Sequence, residues 1–180
     1  FDFTNTINNR TIQANVDYME SYDDIILWVD KTGLLTKKRL KLLSELANKD
    51  KDDSDSTFRK IIRAREVLYT LFSSIAKKIN PDVIVMEEFN KILANSYSKI
   101  KISISSLKPD VSFVDKDVTL DEPLRIIMKS AYDILTAENM ERVKECPTCG
   151  WHFIDRTKNG SRRWCAMNVC GSNDKAKRYY

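Results

Sequence analysis

The chain has 180 residues, of which 42% are hydrophobic and 31% are charged, with only 4 Gly and 4 Pro. This composition predicts a globular, helix-rich protein and excludes the collagen-like, low-complexity and disordered classes. The apolar runs are too short for a transmembrane helix and no secretory signal is visible, so we expect a cytoplasmic protein with no membrane partner.

The first half of the chain is predicted to be helical. Ser21 can cap a first helix that ends at Gly33, and Thr36 can cap a second. The polar and charged segment 48–56 is predicted to be a solvated loop. Apolar residues recur at helical spacing over 57–78, which predicts a long amphipathic helix there.

The second half begins with one more helix and then changes period. A helix over 81–95 has a proline in its first turn, where the missing N–H costs nothing. Alternation over 99–105 predicts a half-buried strand, 108–110 a turn, and 111–114 a second strand. A last large helix is predicted over 122–140. The expected fold is therefore mainly α with a small β-hairpin.

All four cysteines lie near the C-terminus, in the pattern C-x2-C, fifteen residues, C-x4-C: Cys146, Cys149, Cys165 and Cys170. Two close pairs at this separation are typical of a tetrahedral zinc site, and we predict one structural Zn²⁺ per chain. Four thiolates fill the coordination sphere, so the ion keeps no open position for catalysis. The single histidine, His152, is interpreted as a strand residue beside the metal site.

Three alternatives to zinc explain the four cysteines less well. Disulfides need an oxidising compartment, for which no secretory signal is visible. Redox chemistry of one C-x2-C pair leaves the second pair unexplained. An iron site of the rubredoxin type matches the first pair but not the four-residue spacer of the second.

Charge divides the chain at the same place. Residues 142–180 hold nine Lys or Arg against three Asp or Glu, a net charge of +6, so residues 1–141 carry −2 within the overall +4. We therefore predict two domains, 1–141 and 142–180. The smaller one folds around its metal, with an apolar layer of tryptophan, phenylalanine and isoleucine and with Asn159–Gly160 turning a hairpin between the cysteine pairs.

The cysteine domain resembles the CGNR-type zinc finger. The shared residues are CPTCGWHFID at 146–155, NGSRRWCAM at 159–167 and CG at 170–171. The start of the chain, DFTNT at 2–6, resembles the opening of the ABATE domain that accompanies this finger, and REVLY at 65–69 and FNKIL at 89–93 are similar to its middle motifs.

The resemblance implies a stress-induced bacterial transcription regulator with a treble-clef finger, in which a knuckle and a hairpin precede a helix that carries the last ligand. It also implies a mostly helical N-terminal domain that senses an effector. Where the family reads CGNRAK, this chain reads CGSNDK at 170–175.

Two sets of candidate binding residues follow. Cations of the finger are predicted to contact DNA phosphates: Arg156, Lys158, Arg162, Arg163, Lys175, Lys177 and Arg178. Polar residues in the N-terminal motifs are candidates for effector binding, with structural hydrogen bonding as the alternative: Asp2, Asn5, Arg10, Arg65 and Asn90.

The sequence thus predicts a non-enzymatic DNA-binding regulator with a structural zinc finger and an effector-sensing domain, and it is compatible with a homodimer. No phosphate-binding glycine loop, nucleophile elbow or Cys–His pair suggests catalysis. The alternative is a ligand-sensing or protein-interaction module whose finger is purely structural.

Overall fold

The computed structural model describes residues 1–112, 117–137 and 140–179, of which Asp110, Ser112 and 177–179 enter only through their backbone. The fold is mainly helical with two small antiparallel strand pairs and a C-terminal cysteine module, which confirms the predicted fold class. In chain order the elements are α1 Tyr22–Thr32, α2 Lys37–Lys49, α3 Lys51–Ala76, α4 Val83–Tyr97, β1 Lys101–Ser105, β2 Lys108–Ser112, α5 Glu122–Leu135, a 3-10 turn Met140–Arg142, β3 Val143–Glu145, β4 His152–Ile154, a π-helical turn Met167–Gly171 and α6 Ser172–Tyr179. No described helix is both long and apolar enough to cross a bilayer.

The caps of α1 and α2 are where the sequence predicts them. The Ser21 side chain accepts the backbone N–H of Asp24, and the Asp24 carboxylate accepts the N–H of Ser21 at 2.9 Å, which forms a complete capping box. Gly33 ends α1 with a φ of 67°, in the left-handed region that favours glycine. Thr36 caps α2 by accepting the N–H of Arg39.

The prediction of a loop over 48–56 is wrong, because α3 begins at Lys51. Asp50 caps it by accepting the backbone N–H of Asp53 at 3.0 Å, and two further acidic residues in the first turn favour the positive end of the helix dipole. Ser54 is buried at 4% exposure, so this polar stretch also has an inward face. The acidic segment for which the sequence predicts a loop is therefore the start of the helix α3.

Three smaller corrections concern the elements that follow. Pro81 lies before the cap of α4 rather than in its first turn, since Asp82 accepts the N–H of Ile84 at 2.8 Å. The expected helix over 122–140 ends at Leu135. In the cysteine module, strands pair on either side of the first cysteine pair, and the Asn-Gly segment forms a turn that no described strand follows.

The β1–β2 hairpin differs from the prediction in register and in burial. Its turn is Ser106–Leu107, both with positive φ (50° and 62°), as a two-residue hairpin turn requires. Lys108, Pro109 and Asp110, predicted to be a turn, therefore belong to β2. Every residue of β1 is exposed instead of half-buried. Of the predicted strand 111–114, the last two residues lie outside the described part of the chain.

Two compact units emerge from the contacts within the chain. The first combines Phe1–Tyr18, Arg65–Met86 and Leu135–Tyr180, and the second combines Met19–Ala64 and Glu87–Ile134. The first unit therefore contains the cysteine module together with N-terminal segments, whereas the sequence-based division into 1–141 and 142–180 separates them. How the chain divides functionally stays a prediction.

The second unit has an apolar core that also contains a buried ion pair. Its fully buried side chains include Ile25, Val29, Leu43, Ile61 and Met128. The Glu122 carboxylate is 0% exposed and is held by the guanidinium of Arg39, whose Nε donates to it at 2.8 Å. The hydroxyl of Tyr22 donates to the carbonyl of Leu120 at 2.6 Å, so this buried hydroxyl is paired as burial demands.

Candidate metal centre

The first two cysteines lie on a tight turn between β3 and β4. The Cys146 N–H donates to the Trp151 carbonyl at 2.8 Å, and the Gly150 N–H donates to the Cys146 carbonyl at the same distance. Gly150 has a φ of 74°, and a Cβ at this position would lie 2.9 Å from the Tyr69 hydroxyl and 3.0 Å from the Arg10 Cβ. Only glycine fits both the backbone and the space at this point of the knuckle.

The second pair approaches the first from the C-terminal side. Cys165 follows an exposed basic stretch, and Cys170 lies in the π-helical turn that leads into α6. The Thr148 hydroxyl donates to the Cys170 carbonyl at 3.3 Å and so joins the two halves of the site. The last cysteine is thus presented by a helical turn, as the sequence resemblance implied.

The four sulfur atoms fit a tetrahedral zinc ion. All four Sγ atoms lie within 4.8 Å of one another, with Cys149 and Cys165 3.5 Å apart and Cys165 and Cys170 3.6 Å apart. A Zn–S bond of about 2.3 Å in tetrahedral geometry places sulfurs about 3.8 Å apart. Cys146, Cys149 and Cys170 are buried, with Phe153, Trp151 and Trp164 packed around them. One structural zinc ion is therefore held by the four cysteines, and its coordination sphere is closed.

The environment of the thiols explains why a cation belongs here. Burial alone would raise the pKa of Cys146, but N–H groups of Cys165, Thr148 and Cys149 face its sulfur and lower that pKa to about 7. Burial raises the pKa of Cys149, and the Cys165 and Cys170 thiols raise it further, against the N–H of Trp151. Burial also raises the pKa of Cys165 to about 12. Four thiolates so close together need a compensating metal charge, which zinc supplies.

A buried carboxylate, Asp155, organises the loop between the cysteine pairs, and sequence reasoning missed it. It is 1% exposed and accepts the Lys144 ammonium at 2.7 Å, the Arg162 N–H at 2.8 Å and both the N–H and hydroxyl of Thr157, at 2.9 and 2.6 Å. Despite burial, which opposes ionisation, these donors hold the pKa of Asp155 well below its usual range. The available signal was Asp-x-Thr directly after a strand, an Asx-turn pattern.

Three cations of the finger are used inside it. Lys144 also donates to the carbonyls of Gly160 and Arg162, and Arg142 donates to the Thr157 carbonyl at 2.8 Å. Arg162, predicted to contact DNA, donates to the Trp164 carbonyl at 2.9 Å and to that of Cys165, and its guanidinium lies 4.8 Å from the Phe153 ring centroid. Its first role is therefore to hold the chain at a zinc ligand.

The other predicted DNA contacts differ from Arg162 in their pairing. Four are exposed, and among the described residues none of them forms an ion pair; Arg163 lies over the Trp164 ring at 5.4 Å. These exposed finger cations are Arg156, Lys158, Arg163 and Lys175. Lys177 and Arg178 belong to α6, but their side chains lie outside the described residues.

Of the five candidate effector residues, two form an internal ion network. Arg65 is 2% exposed and donates to both oxygens of Asp17, at 2.7 and 2.6 Å. Arg10 donates to both oxygens of Glu66, at 2.7 and 3.1 Å, and Arg65 reaches the same carboxylate at 2.8 Å. Burial opposes ionisation of Glu66, but the two guanidinium groups lower its pKa. Both arginines therefore serve the fold of the first unit.

The remaining three candidates lie in different settings. Asn5 hydrogen-bonds both backbone groups of His152, and Asp2 is exposed. Both line an open cleft of about 510 Å³ in the first unit, which Arg156 and Arg162 also line. Asn90 is exposed on α4 and belongs to the second unit, whereas the other four candidates belong to the first.

His152 is a buried strand residue, as predicted. It is 1% exposed; its Nε2 lies 3.0 Å from the Ser73 hydroxyl and its Nδ1 lies 3.4 Å from the Thr4 hydroxyl. Burial lowers the pKa of this imidazole, against the nearby Glu145 carboxylate that favours the charged form. Ser73 is itself 7% exposed, so this serine–histidine contact is closed to a substrate.

Comparisons with known families agree with this arrangement. Residues 142–180 match the family model of the CGNR zinc finger, and residues 1–138 match that of the ABATE domain, described as "Putative stress-induced transcription regulator". No curated protein matches the chain. The ABATE model covers most of the chain, and the finger model contains all four cysteines. The chain therefore belongs to the ABATE family and carries a CGNR zinc finger with one structural zinc site.

Proposed function

We propose that the protein is a cytoplasmic, non-enzymatic bacterial transcription regulator that binds DNA through its zinc finger. The observation that carries the proposal is the set of exposed finger cations, Arg156, Lys158, Arg163 and Lys175. They lie on a module of about forty residues whose own fold already uses Arg142, Lys144 and Arg162. Exposed cations on so small a surface attract a polyanion and release its counterions on binding.

The contacts are to phosphates rather than to base edges. A zinc ion with four thiolates carries two negative charges, so the finger retains +4 of its formal +6. The sequence after the last cysteine pair carries Asn173 and Asp174 at the start of α6, where the finger family has an arginine. The finger therefore positions the protein on a duplex, with little direct base reading from this turn.

Effector sensing is assigned to the first unit. Its cleft of about 510 Å³ is lined by Asp2 and Asn5 together with Arg156 and Arg162. A small polar ligand in this cleft would contact both the ABATE opening and the finger, and so it could alter how the finger meets DNA. Arg10, Arg65 and Asn90 are not among the residues that line the cleft.

A DNA titration at several salt concentrations tests the proposal. Wild-type protein should show log K falling linearly with log salt, with a slope of about −0.9 per phosphate contact. The double variant Arg163→Glu/Lys175→Glu should flatten the slope by roughly two contacts. The control Arg59→Glu/Lys60→Glu makes the same charge change at exposed residues of the second unit and should leave the slope unchanged. Absence of salt-dependent binding in zinc-loaded wild type would refute it.

A second function is favoured by one observation, the internal use of Arg162 together with Asn173 and Asp174. These residues suit a finger that only stabilises a ligand-sensing or protein-interaction module. Full zinc content without DNA binding, combined with effector or partner binding, would select this alternative. In that case the exposed finger cations could be reversed in charge without affecting the binding that is seen.

A further inference from the structure

The β1–β2 hairpin exposes an apolar face that no described element covers. Ile102 is 66% exposed, Ile104 is 72% exposed and Val111 is 44% exposed, and Leu107 at the turn is 95% exposed. Side chains of a strand alternate between its two faces, and the register pairs Ile102 with Val111 and Ile104 with Pro109. Four apolar side chains therefore share one face of the hairpin.

The opposite face of the hairpin is polar. It carries Lys101, Ser103, Ser105 and Lys108, since Ser105 pairs with Lys108 in the same register. The hairpin is thus amphipathic, as a strand pair is when one of its faces is buried. In this fold, however, both faces of β1 are exposed. An isolated two-stranded hairpin is at best marginally stable in water, which leaves its apolar face in need of a partner.

We propose that this face, formed by Ile102, Ile104, Pro109 and Val111 with Leu107 at its tip, packs against the same face of a second copy of the chain. Its exposed side chains present on the order of 500 Å² of apolar surface, comparable to the largest patch on a typical monomer. A symmetric contact counts that area twice, on the order of 1,000 Å², which reaches the lower limit of specific interfaces.

The chemistry of the face favours its own copy over another partner. In a two-fold contact each patch meets itself, so any charge on it would face a like charge. The hairpin places Lys101 and Lys108 on the other face, and the contact face carries no ionisable side chain. It therefore offers nothing for an oppositely charged partner to recognise, while apolar packing against an identical surface meets no repulsion.

The test is the mass of the full-length, zinc-loaded protein in solution without DNA, by sedimentation equilibrium over a concentration series. Wild type should approach twice the chain mass of 20.9 kDa at tens of micromolar. Ile102→Lys/Ile104→Lys should weaken the dimer by roughly 100-fold, because two central apolar contacts are lost. Ser103→Lys/Ser105→Lys adds the same charge to the same strand on the opposite face and should remain dimeric.

Several outcomes would overturn the proposal. A monomeric wild type would mean that another occupant, such as a different protein, covers the face. Equal dissociation of the two variants would mean that added charge, and not the apolar face, is responsible. If the isoleucine variant loses zinc or helical signal, hydrogen exchange of the wild type replaces it. Amides of 101–112 should then exchange more slowly at high than at low protein concentration, and unchanged exchange would contradict the dimer.

Discussion

The side chain of Asn5 hydrogen-bonds both backbone groups of His152. Its Nδ2 donates to the His152 carbonyl at 3.0 Å, and its Oδ1 accepts the His152 N–H at 3.0 Å. His152 opens β4, whose opposite edge pairs with β3. The Asn5 side chain therefore forms the hydrogen bonds that a neighbouring strand would form at the edge of β4 away from β3. It ties the start of the chain to the module that holds the metal.

Replacing Asn5 by Asp should destabilise the first unit although the two side chains have the same shape. Asp keeps the acceptor but loses the donor and sets a carboxylate against the His152 carbonyl. We expect the free energy of unfolding to fall by about 1–3 kcal/mol, the usual cost of an unsatisfied polar group. Urea unfolding measures it.

Asn9→Asp is the matched control for this substitution. Within the described part of the chain, Asn9 forms hydrogen bonds only through its Oδ1, which accepts the N–H and the hydroxyl of Thr11 at 2.9 and 2.8 Å. A carboxylate can accept both bonds, so this variant should be as stable as wild type. If the two variants unfold alike, the Asn5–His152 contact contributes no more than an ordinary surface bond.

Gly150→Ala should be far more costly than Gly33→Ala, although both glycines have positive φ. At Gly33 none of the described residues apart from its chain neighbours lies within 4 Å of an added Cβ, so only the left-handed backbone is penalised, by about 1 kcal/mol. At Gly150 the Cβ would also meet Tyr69 and Arg10, and overpacking raises the total cost to about 3 kcal/mol. Unfolding of the zinc-loaded variants checks this, and equal losses would show that the knuckle relaxes freely.

The zinc ligands and the first helix caps could be predicted because each depends on residues close in sequence. Cysteine spacing defines the metal site, and Ser21 and Thr36 cap helices that start at the next residue. The prediction for the acidic segment 48–56 was wrong for a related reason. Its composition suggested a loop, whereas Asp50 caps the helix α3 that starts there. The same short acidic residues are typical both of a solvated loop and of a helix N-terminus, so the local sequence did not decide between the two.

The attachment of the N-terminal segment to the finger could not be predicted, because no local pattern records it. Asn5 and His152 are 147 positions apart in the sequence, and Trp151 donates to the carbonyl of Ile7, which is 144 positions away. The charge count also gave no indication that Arg162 bonds the carbonyls around Cys165 and is only partly available for DNA. Such roles appear only when side chains and distant backbone groups are placed together.

The lowered pKa of Glu66 predicts that the folded protein loses stability in acid. Its pKa is lowered in the folded state by Arg10 and Arg65, which outweigh the effect of burial, so the ionised form stabilises the fold. That contribution is present above the unfolded pKa of about 4.3 and is lost as pH falls through the lower, folded value. Stability of wild type and Glu66→Gln should therefore differ at pH 6 and converge in acid.

Glu45→Gln serves as the control for this pH series. Its carboxylate is exposed on α2, 3.8 Å from Lys41, and such surface pairs contribute little. This variant should follow the wild-type curve at every pH. A constant gap between wild type and Glu66→Gln down to pH 3 would show that the arginine contacts do not depend on the charge of Glu66.

Removal of zinc should loosen the N-terminal segment as well as the finger. The Arg10 N–H donates to the Cys149 carbonyl at 2.9 Å, and the Thr11 hydroxyl donates to that of Thr148 at 3.0 Å, so both bonds end on the knuckle that the metal holds. Structural zinc supplies about 10–16 kcal/mol to small modules, more than these contacts can replace. After chelation, hydrogen exchange should accelerate at Arg10 and His152 together.

Helix α1, which belongs to the second unit, provides the internal reference for that measurement. Its core residues Ile25 and Val29 are 0% exposed and pack within a unit that contains none of the four cysteines. We expect its amides to keep most of their protection after chelation and the Arg10 amide to regain protection when zinc returns. Faster exchange confined to residues 142–180 would instead mean that the finger unfolds alone. The contacts of Asn5 and Arg10 would then not couple the N-terminal segment to the stability of the finger.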